Sequence, residues 1–229
     1  MIYGIGDLHF DHTKNKPMDI FGDNWLDHEN KIMDNWKAKV KEEDLVLIPG
    51  DISWALKLDE AYNDLKRIDE LPGKKAFIKG NHDYWWQSLN KLKALKLKSI
   101  EFIQNTSIVY GDYIISGTRG WISKDNDSFT EEDEKIYRRE LLRLKMSLED
   151  IVDPSKKRIV MLHYPPFNMD LNPNEFVDLM KDFGVEVCIY GHLHAEGHRF
   201  AVEGLVEGIE FICVSSDYIH FSPRKIVGE

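Results

Sequence analysis

The sequence of 229 residues predicts an α/β fold, a four-layer α/β/β/α sandwich of two mixed sheets with outer helices. Two observations support this prediction. Short apolar runs typical of buried strands alternate with amphipathic helical segments over much of the chain, which favours a mainly parallel sheet with helices on its faces. Clusters of short β-type segments interrupt and follow this alternation, which indicates a second sheet packed face to face with the first.

The first part of the chain alternates between strand and helix. The predicted elements are a strand at 1–6, a helix at 25–40, a strand at 45–48, a helix at 59–71, a strand at 76–78 and a helical run after Trp86. The helices are predicted from apolar residues at helical spacing, with Asn24 as the N-cap of the first. The run at 45–48 is continuously apolar, as expected of a strand buried on both faces.

The second part of the chain is richer in short strands. The predicted elements are strands at 100–103, 107–110 and 113–116, a helix at 130–152, a strand at 158–162, a helix at 175–183, a strand at 185–190 and short strands at 197–202, 210–214 and 225–227. Gly111 and Asp112 suit a hairpin turn. Thr130 and Asp133 resemble a capping box at the start of the long helix, which is either a lid over the cleft or an outer-layer helix.

The size and charge of the chain limit its function. We expect one domain over 1–229, with 117–155 as a cap or an outer-layer insertion, because a chain of this length buries a sizeable core. The net charge of −10 argues against nucleic acid and anionic membranes as partners. A small phosphorylated substrate is compatible with this net charge, because a metal can supply local positive charge.

The sequence shows no secretory leader and no apolar run that spans a bilayer, so we expect a cytoplasmic protein.

Five predicted strands end at clusters of polar residues that can bind metal. The clusters are Asp7-x-His9, Gly50-Asp51, Gly80-Asn81-His82-Asp83, His163 and Gly191-His192-x-His194. Because the carboxyl ends of parallel strands meet at one edge of a sheet, these groups become neighbours in space. Taken one at a time, each cluster has a plain structural explanation, such as a turn, a helix cap or a packed histidine. Their occurrence together at five strand ends indicates a metal site.

The ligand types indicate which metals fit. Imidazole, carboxylate and one amide, with no thiolate, suit Mn, Fe, Zn or a similar divalent ion. Seven candidate ligands exceed what one tetrahedral site uses, so two neighbouring ions that share a bridging carboxylate fit better. Sites with two metals are common in phosphoester hydrolysis.

In this order and spacing, the five clusters resemble the motifs of the calcineurin-like metallophosphoesterases. The motifs run from residue 7 to 194, so the resemblance covers most of the chain, and the whole is similar to small bacterial members described as predicted phosphohydrolases. The resemblance implies that one ion is held by Asp7, His9 and His194. It implies that the other is held by Asn81, His163 and His192, with Asp51 bridging the two.

The resemblance also implies catalytic roles for two residues that do not bind metal. His82 would approach the phosphate, stabilise the transition state and protonate the leaving oxygen. Asp83 would orient His82 through a hydrogen bond. One departure concerns the position after the first histidine, where the family often has Gly and this chain has Phe10. A bulky residue there can alter the loop beside the first metal.

The implied reaction is hydrolysis of a small phosphomonoester or phosphodiester. The two cations would polarise the phosphoryl oxygens and lower the pKa of a water between them, and metal-bound hydroxide would attack phosphorus directly. Two alternatives are a nuclease, which the acidic balance disfavours, and a non-catalytic scaffold with the same fold, which the complete set of ligands disfavours.

Some residues outside the motifs are candidates for substrate contact. Arg119 can pair bidentately with phosphate, or it can be a surface or salt-bridged arginine. Four tryptophans near these loops either pack helices against the sheet or line a pocket. They are Trp54, Trp85, Trp86 and Trp121. Asp217, near the C-terminus, has no predicted place.

Overall fold

Two β-sheets form the centre of the protein in a computed structural model that describes residues 1–228. The strands are β1 (Ile2–Gly4), β2 (Leu45–Pro49), β3 (Lys74–Ile78), β4 (Ile100–Phe102), β5 (Ile108–Tyr110), β6 (Tyr113–Thr118), β7 (Lys157–Leu162), β8 (Val187–Tyr190), β9 (Gly204–Val206), β10 (Ile209–Cys213) and β11 (Arg224–Val227). The α-helices are α1 (His28–Lys39), α2 (Leu58–Asp69), α3 (Leu89–Lys93), α4 (Glu131–Asp150) and α5 (Glu175–Asp182). Short 3-10 helices lie at Met18–Phe21, Asp23–Trp25 and Ala195–Phe200.

Both sheets are mixed, as predicted. The first has the strand order β11-β1-β2-β3-β4, in which only the edge strand β11 is antiparallel to its neighbour. The second has the order β5-β6-β7-β8-β10-β9, with parallel pairs in the middle and antiparallel pairs at both edges. The loops after the parallel strands therefore gather where ligands bind in α/β proteins.

Apolar contacts join four layers. Between the sheets, Leu47 and Ile78 of the first pack in one cluster with Met161 and Ile189 of the second. A second cluster joins α1 and α2 to the outer face of the first sheet, and a third joins α4 and α5 to the outer face of the second. The arrangement is the predicted α/β/β/α sandwich.

Helix α4 covers the outer face of β6. Its predicted capping box is present, since the side chains of Thr130 and Asp133 each accept a hydrogen bond from the other's backbone. Farther along the helix, Ser147 Oγ accepts a hydrogen bond from Gly117 N at 2.9 Å. The long helix is therefore bound to the second sheet as an outer-layer helix.

Two local predictions are wrong. Helix α1 begins at His28, and Asn24 is not its N-cap, because Trp25 lies in a 3-10 helix that buries its indole. The segment predicted as a strand at 197–202 falls largely in the 3-10 helix Ala195–Phe200, where Gly197 N donates to His194 O at 2.7 Å. Among the helices described, none has the length and apolar character that a bilayer crossing requires.

Candidate metal centre

The loops after five strands bring the predicted ligands to one edge of the two sheets. Asp7 and His9 follow β1, Asp51 follows β2, Asn81 follows β3, His163 follows β7, and His192 and His194 follow β8. The first two loops are joined by backbone hydrogen bonds from Asp7 to Gly50 and from His9 to Asp51, both 3.0 Å long. Residues far apart in the sequence therefore share one site, as the strand-end argument predicts.

The backbone at the site is strained. Asp7, His9, Asp51 and His192 have φ angles of 55°, 48°, 52° and 72°. A non-glycine residue in such a conformation costs about 1–3 kcal/mol and persists only where its surroundings hold it. Four of the seven candidate ligands therefore sit on strained backbone that their surroundings hold in place.

Two motif glycines allow carboxylates to approach the backbone closely. A Cβ at Gly191 would lie 2.5 Å from Asp7 Oδ2, and one at Gly80 would collide with the Asp51 carboxylate. The space is used for hydrogen bonds, since His192 N donates to both Asp7 oxygens at 3.0 and 3.1 Å. The glycines in these motifs thus keep the two carboxylates in place.

Asp7, His9 and His194 form the first group of candidate ligands. One donor atom of each lies within 4.8 Å of the others. His194 Nδ1 lies 2.8 Å from Asp217 Oδ1, and its Nε2 lies 3.7 Å from Asp7 Oδ1. Because the carboxylate holds Nδ1, Nε2 is the nitrogen left for a metal. The buried His9 Nδ1 has no hydrogen-bond partner within residues 1–228.

Asn81, His163 and His192 form the second group. Asn81 Oδ1 lies 2.5 Å from His163 Nε2 and 3.1 Å from His192 Nδ1. His163 Nδ1 lies 2.9 Å from the Pro49 carbonyl, which can only accept, so Nδ1 carries the hydrogen and Nε2 is free for a metal.

Asp51 lies between the two groups. Its Oδ2 is 3.8 Å from His9 Nε2 and 3.6 Å from His163 Nε2. A carboxylate that faces one histidine of each group is placed as a bridging ligand would be.

The buried ligand cluster has carboxylates that need a positive charge nearby. Burial and the negative charge of Asp7 raise the pKa of Asp51 to about 8. Burial alone would lower the pKa of His194, but Asp7 and the hydrogen bond to Asp217 outweigh it and raise that pKa to about 10. Burial lowers the pKa of His192 to about 3. The carboxyl group of Asp51 and the imidazole of His194 thus hold protons at a place where a divalent cation would bring positive charge instead.

Asp83 does not orient His82 as the resemblance implies. Within residues 1–228 no hydrogen bond joins its carboxylate to the His82 ring, and it binds the loop backbone instead. Its donors are the backbone N–H groups of Gly80, Asp51, Ile52 and Ser53, at 2.8, 2.9, 2.9 and 3.3 Å, and the indole of Trp85 at 3.0 Å. Burial, and then the charge of Asp51, raise the pKa of Asp83 to about 6. Asp83 therefore joins the loops after β2 and β3.

His82 lies beside the two ligand groups, half-buried. Its backbone N–H donates to Asp51 Oδ1 at 2.8 Å. Its ring centroid lies 4.6 Å from that of Trp54, which also stacks on His9 at 4.8 Å. Burial, and then the nearby His163, lower the pKa of His82. Trp54 is thus a wall of the site.

Three other aromatic residues serve the core. Trp85, Trp86 and Phe10 are buried in the cluster between the first sheet and its helices. The Arg67 guanidinium lies over the Phe10 ring, 4.9 Å from its centroid. The bulky residue after the first histidine therefore packs with the core.

Arg119 is ion-paired, and its contact with phosphate stays a prediction. Its Nη2 lies 3.3 Å from Glu140 Oε1, and its guanidinium stacks over Trp121 at 4.3 Å. Its Nε is buried without a hydrogen-bond partner within residues 1–228.

Asp217 is a site residue that the sequence reasoning missed. Besides His194, its carboxylate accepts a hydrogen bond from Ala195 N at 3.1 Å and lies 3.1 Å from His198 Nε2. A signal was available, because Asp217 follows the predicted strand at 210–214 and so lies at another strand end. It holds the ring of a candidate ligand.

Comparison with protein families gives a match over most of the chain. A family model described as calcineurin-like phosphoesterase matches residues 1–196. No curated protein matches the sequence.

Comparison with solved structures found likenesses at low sequence identity. The chain is similar to phosphopantetheinyl hydrolase (PptH) from Mycobacterium tuberculosis, with 14% identity, coverage of 100% of this chain and 96% of that chain, and a TM-score of 0.61. It is also similar to AQ665 from Aquifex aeolicus, a protein of unknown function, with 20% identity, coverage of 98% and 94%, and a TM-score of 0.49. The family match over residues 1–196 shows that this chain belongs to the calcineurin-like phosphoesterases, which are metal-dependent phosphoric ester hydrolases.

Proposed function

We propose that this protein hydrolyses a small phosphomonoester or phosphodiester with two divalent cations, Mn, Fe or Zn. The observation that carries the proposal is the convergence of seven donor side chains from five strand ends, with the buried Asp51 at the centre of the other six. One cation would be held by Asp7, His9 and His194, and the other by Asn81, His163 and His192, with Asp51 shared.

The donor set fits such ions. It offers carboxylate oxygens, an amide oxygen and imidazole nitrogens. In His163 and His194 one ring nitrogen is held by a hydrogen bond, which leaves the other for a metal. When bound, the two cations polarise the phosphoryl oxygens and lower the pKa of water, so that hydroxide is available near neutral pH.

The remaining work falls to residues that do not bind metal. His82 contacts the phosphoryl group and gives a proton to the leaving oxygen. Asp83 keeps the loops after β2 and β3 together, so that Asp51 and His82 stay in register. The two cysteines take no part, because burial raises the pKa of both thiols, that of Cys213 to about 12.

Two colorimetric substrates test this proposal. The protein loaded with Mn²⁺ should hydrolyse p-nitrophenyl phosphate, bis-p-nitrophenyl phosphate or both, and elemental analysis should find about two ions per chain. Activity should disappear on chelation and return with Mn²⁺. Failure to hydrolyse either ester with metal bound would favour a non-catalytic scaffold.

A further inference from the structure

A cavity of about 390 Å³ is lined in part by residues that flank the loops of the metal centre, and none of its lining residues is a candidate ligand. We call it the basic pocket and define it by the polar side chains that matter to its chemistry. They are Lys79, Thr118, Arg119, Arg139, Glu140 and Arg143. The volume is within the range of small-molecule sites.

The charge of the basic pocket is opposite to that of the whole chain. Four cationic side chains line it against one carboxylate, so it carries three positive charges in excess, while the chain carries a net charge of −10. Clustered positive charge of this kind attracts multiply charged anions.

Glu140 holds the arginines in place and is itself fully occupied. Its Oε1 lies 2.8 Å from Arg143, 3.3 Å from Arg119 and 3.8 Å from Arg139. Its Oε2 accepts a hydrogen bond from the Thr118 hydroxyl at 2.6 Å. One carboxylate that already meets three guanidinium groups cannot neutralise them, so hydrogen-bond donors face the cavity unused.

Two of these donors have no partner within residues 1–228. The Lys79 ammonium, half-buried, makes no hydrogen bond or ion pair in the described structure. The Arg119 Nε is buried and also lacks an acceptor. A buried donor without an acceptor, such as Arg119 Nε, is costly, and a phosphate oxygen would give both donors a partner.

The backbone connects the basic pocket to the metal centre. Lys79 immediately precedes the Gly80-Asn81-His82-Asp83 loop. The Arg119 carbonyl accepts hydrogen bonds from the backbone of His163 at 3.1 Å and of Tyr164 at 2.9 Å. A substrate with its scissile phosphate at the metals therefore has a cationic cavity beside it.

We propose that the basic pocket binds a second phosphate group of the substrate, so that the enzyme prefers small molecules with two phosphates to those with one. The preference rests on the proposed phosphoesterase function. The phosphate site itself does not depend on catalysis, and the test treats the two separately.

Calorimetric titration of inorganic phosphate into the full chain, freed of metal by chelation, tests the site. The wild-type protein should bind phosphate, and Lys79→Gln and Arg143→Gln should each weaken binding about tenfold or more. Arg138→Gln is the matched control for Arg143→Gln. Arg138 also lies on α4, but its side chain is 76% exposed and pairs with Glu134. Its affinity should stay within about twofold of wild type.

Lys79→Gln guards against a folding artefact, since it removes a group that has no partner. Circular dichroism and thermal unfolding of each variant check the fold. Absence of phosphate binding by the wild-type protein would overturn the site. Binding with the same affinity in Lys79→Gln, Arg143→Gln and Arg138→Gln would also overturn it and would identify an adventitious ion only.

Matched substrate pairs test the preference in the Mn²⁺-loaded enzyme. The pairs are fructose 1,6-bisphosphate with fructose 6-phosphate, and adenosine 3′,5′-bisphosphate with adenosine 5′-monophosphate. At least one doubly phosphorylated member should show a lower KM, by about tenfold, that Lys79→Gln abolishes and Arg138→Gln keeps. Equal KM values within both pairs would overturn the preference. No hydrolysis of any ester would defeat the proposed function instead, and the titration alone would then decide the phosphate site.

Discussion

The metal centre and the basic pocket lie side by side and are built in opposite ways. The metal centre collects carboxylates and neutral donors from loops after parallel strands, on a backbone strained at four of its residues. The basic pocket collects cations around Glu140, from helix α4 and from the loops after β3 and β6. The first is short of positive charge and the second has it in excess.

This difference suggests a division of labour. A site short of positive charge binds metal cations. A neighbouring site with excess positive charge binds phosphate groups of the substrate. If it is correct, substitutions in one site should change metal binding and turnover, and substitutions in the other should leave metal content alone.

Asp51→Asn should have the largest effect. The amide keeps the shape of the side chain but removes the charge shared by both ligand groups, so both metals should be lost. Metals contribute several kcal/mol to such reactions, and we expect kcat/KM for p-nitrophenyl phosphate to fall about 10⁴-fold. Asp178→Asn, at a carboxylate with 72% of its side chain exposed on α5, is the control. Retention of two metals in Asp51→Asn would contradict its bridging role.

His82→Ala should come next and should separate chemistry from metal binding. Loss of a proton donor lowers kcat by about 10²–10⁴-fold. Metal content should stay as in the wild type, since the ring of His82 belongs to neither ligand group. Elemental analysis and steady-state kinetics on the same preparation provide the measurement. Full activity would remove His82 from the mechanism.

The sequence predicts the layers and the metal centre better than it predicts what surrounds them. Strand ends of a parallel sheet meet regardless of side-chain detail, so Asp7, Asp51 and Asn81 could be placed together from their order alone. Packing between loops decides the rest. Asp83 is adjacent to His82 in sequence, but its carboxylate faces the backbone of the loop after β2.

Helix packing also hides the basic pocket from the sequence. Glu140 and Arg143 are ordinary charged residues of an amphipathic helix until α4 is placed on β6 and Thr118 meets Glu140. The misassigned strand at 197–202 also lies beside a contact that the sequence does not show, since Ala195 begins the 3-10 helix there and donates a hydrogen bond to the distant Asp217.

Asp217→Asn should have a smaller effect than His82→Ala and of a different kind. The carboxylate that holds Nδ1 of His194 raises the basicity of the ring, and loss of such a partner typically weakens metal affinity by about 10–100-fold. Titration with Mn²⁺ should detect this loss, and kcat should recover at saturating Mn²⁺. A kcat that stays low at saturation would mean that Asp217 acts on the reaction itself.

Glu140→Gln should have the smallest effect, and it tests whether the two sites are independent. Gln keeps the hydrogen bond to Thr118 but leaves three guanidinium groups without an anion. Removal of one partner from a fully buried ion pair is severe, but Arg139 and Arg143 are half exposed and reach water, so we expect the free energy of unfolding to fall by about 1–2 kcal/mol. Urea unfolding should be compared with that of Glu132→Gln, a variant of the same helix at a side chain that is 71% exposed. Metal content should be unchanged, because Glu140 touches no candidate ligand. Loss of metal in Glu140→Gln would show that the arginine cluster supports the metal centre. The two sites would then form a single electrostatic unit and not two independent ones.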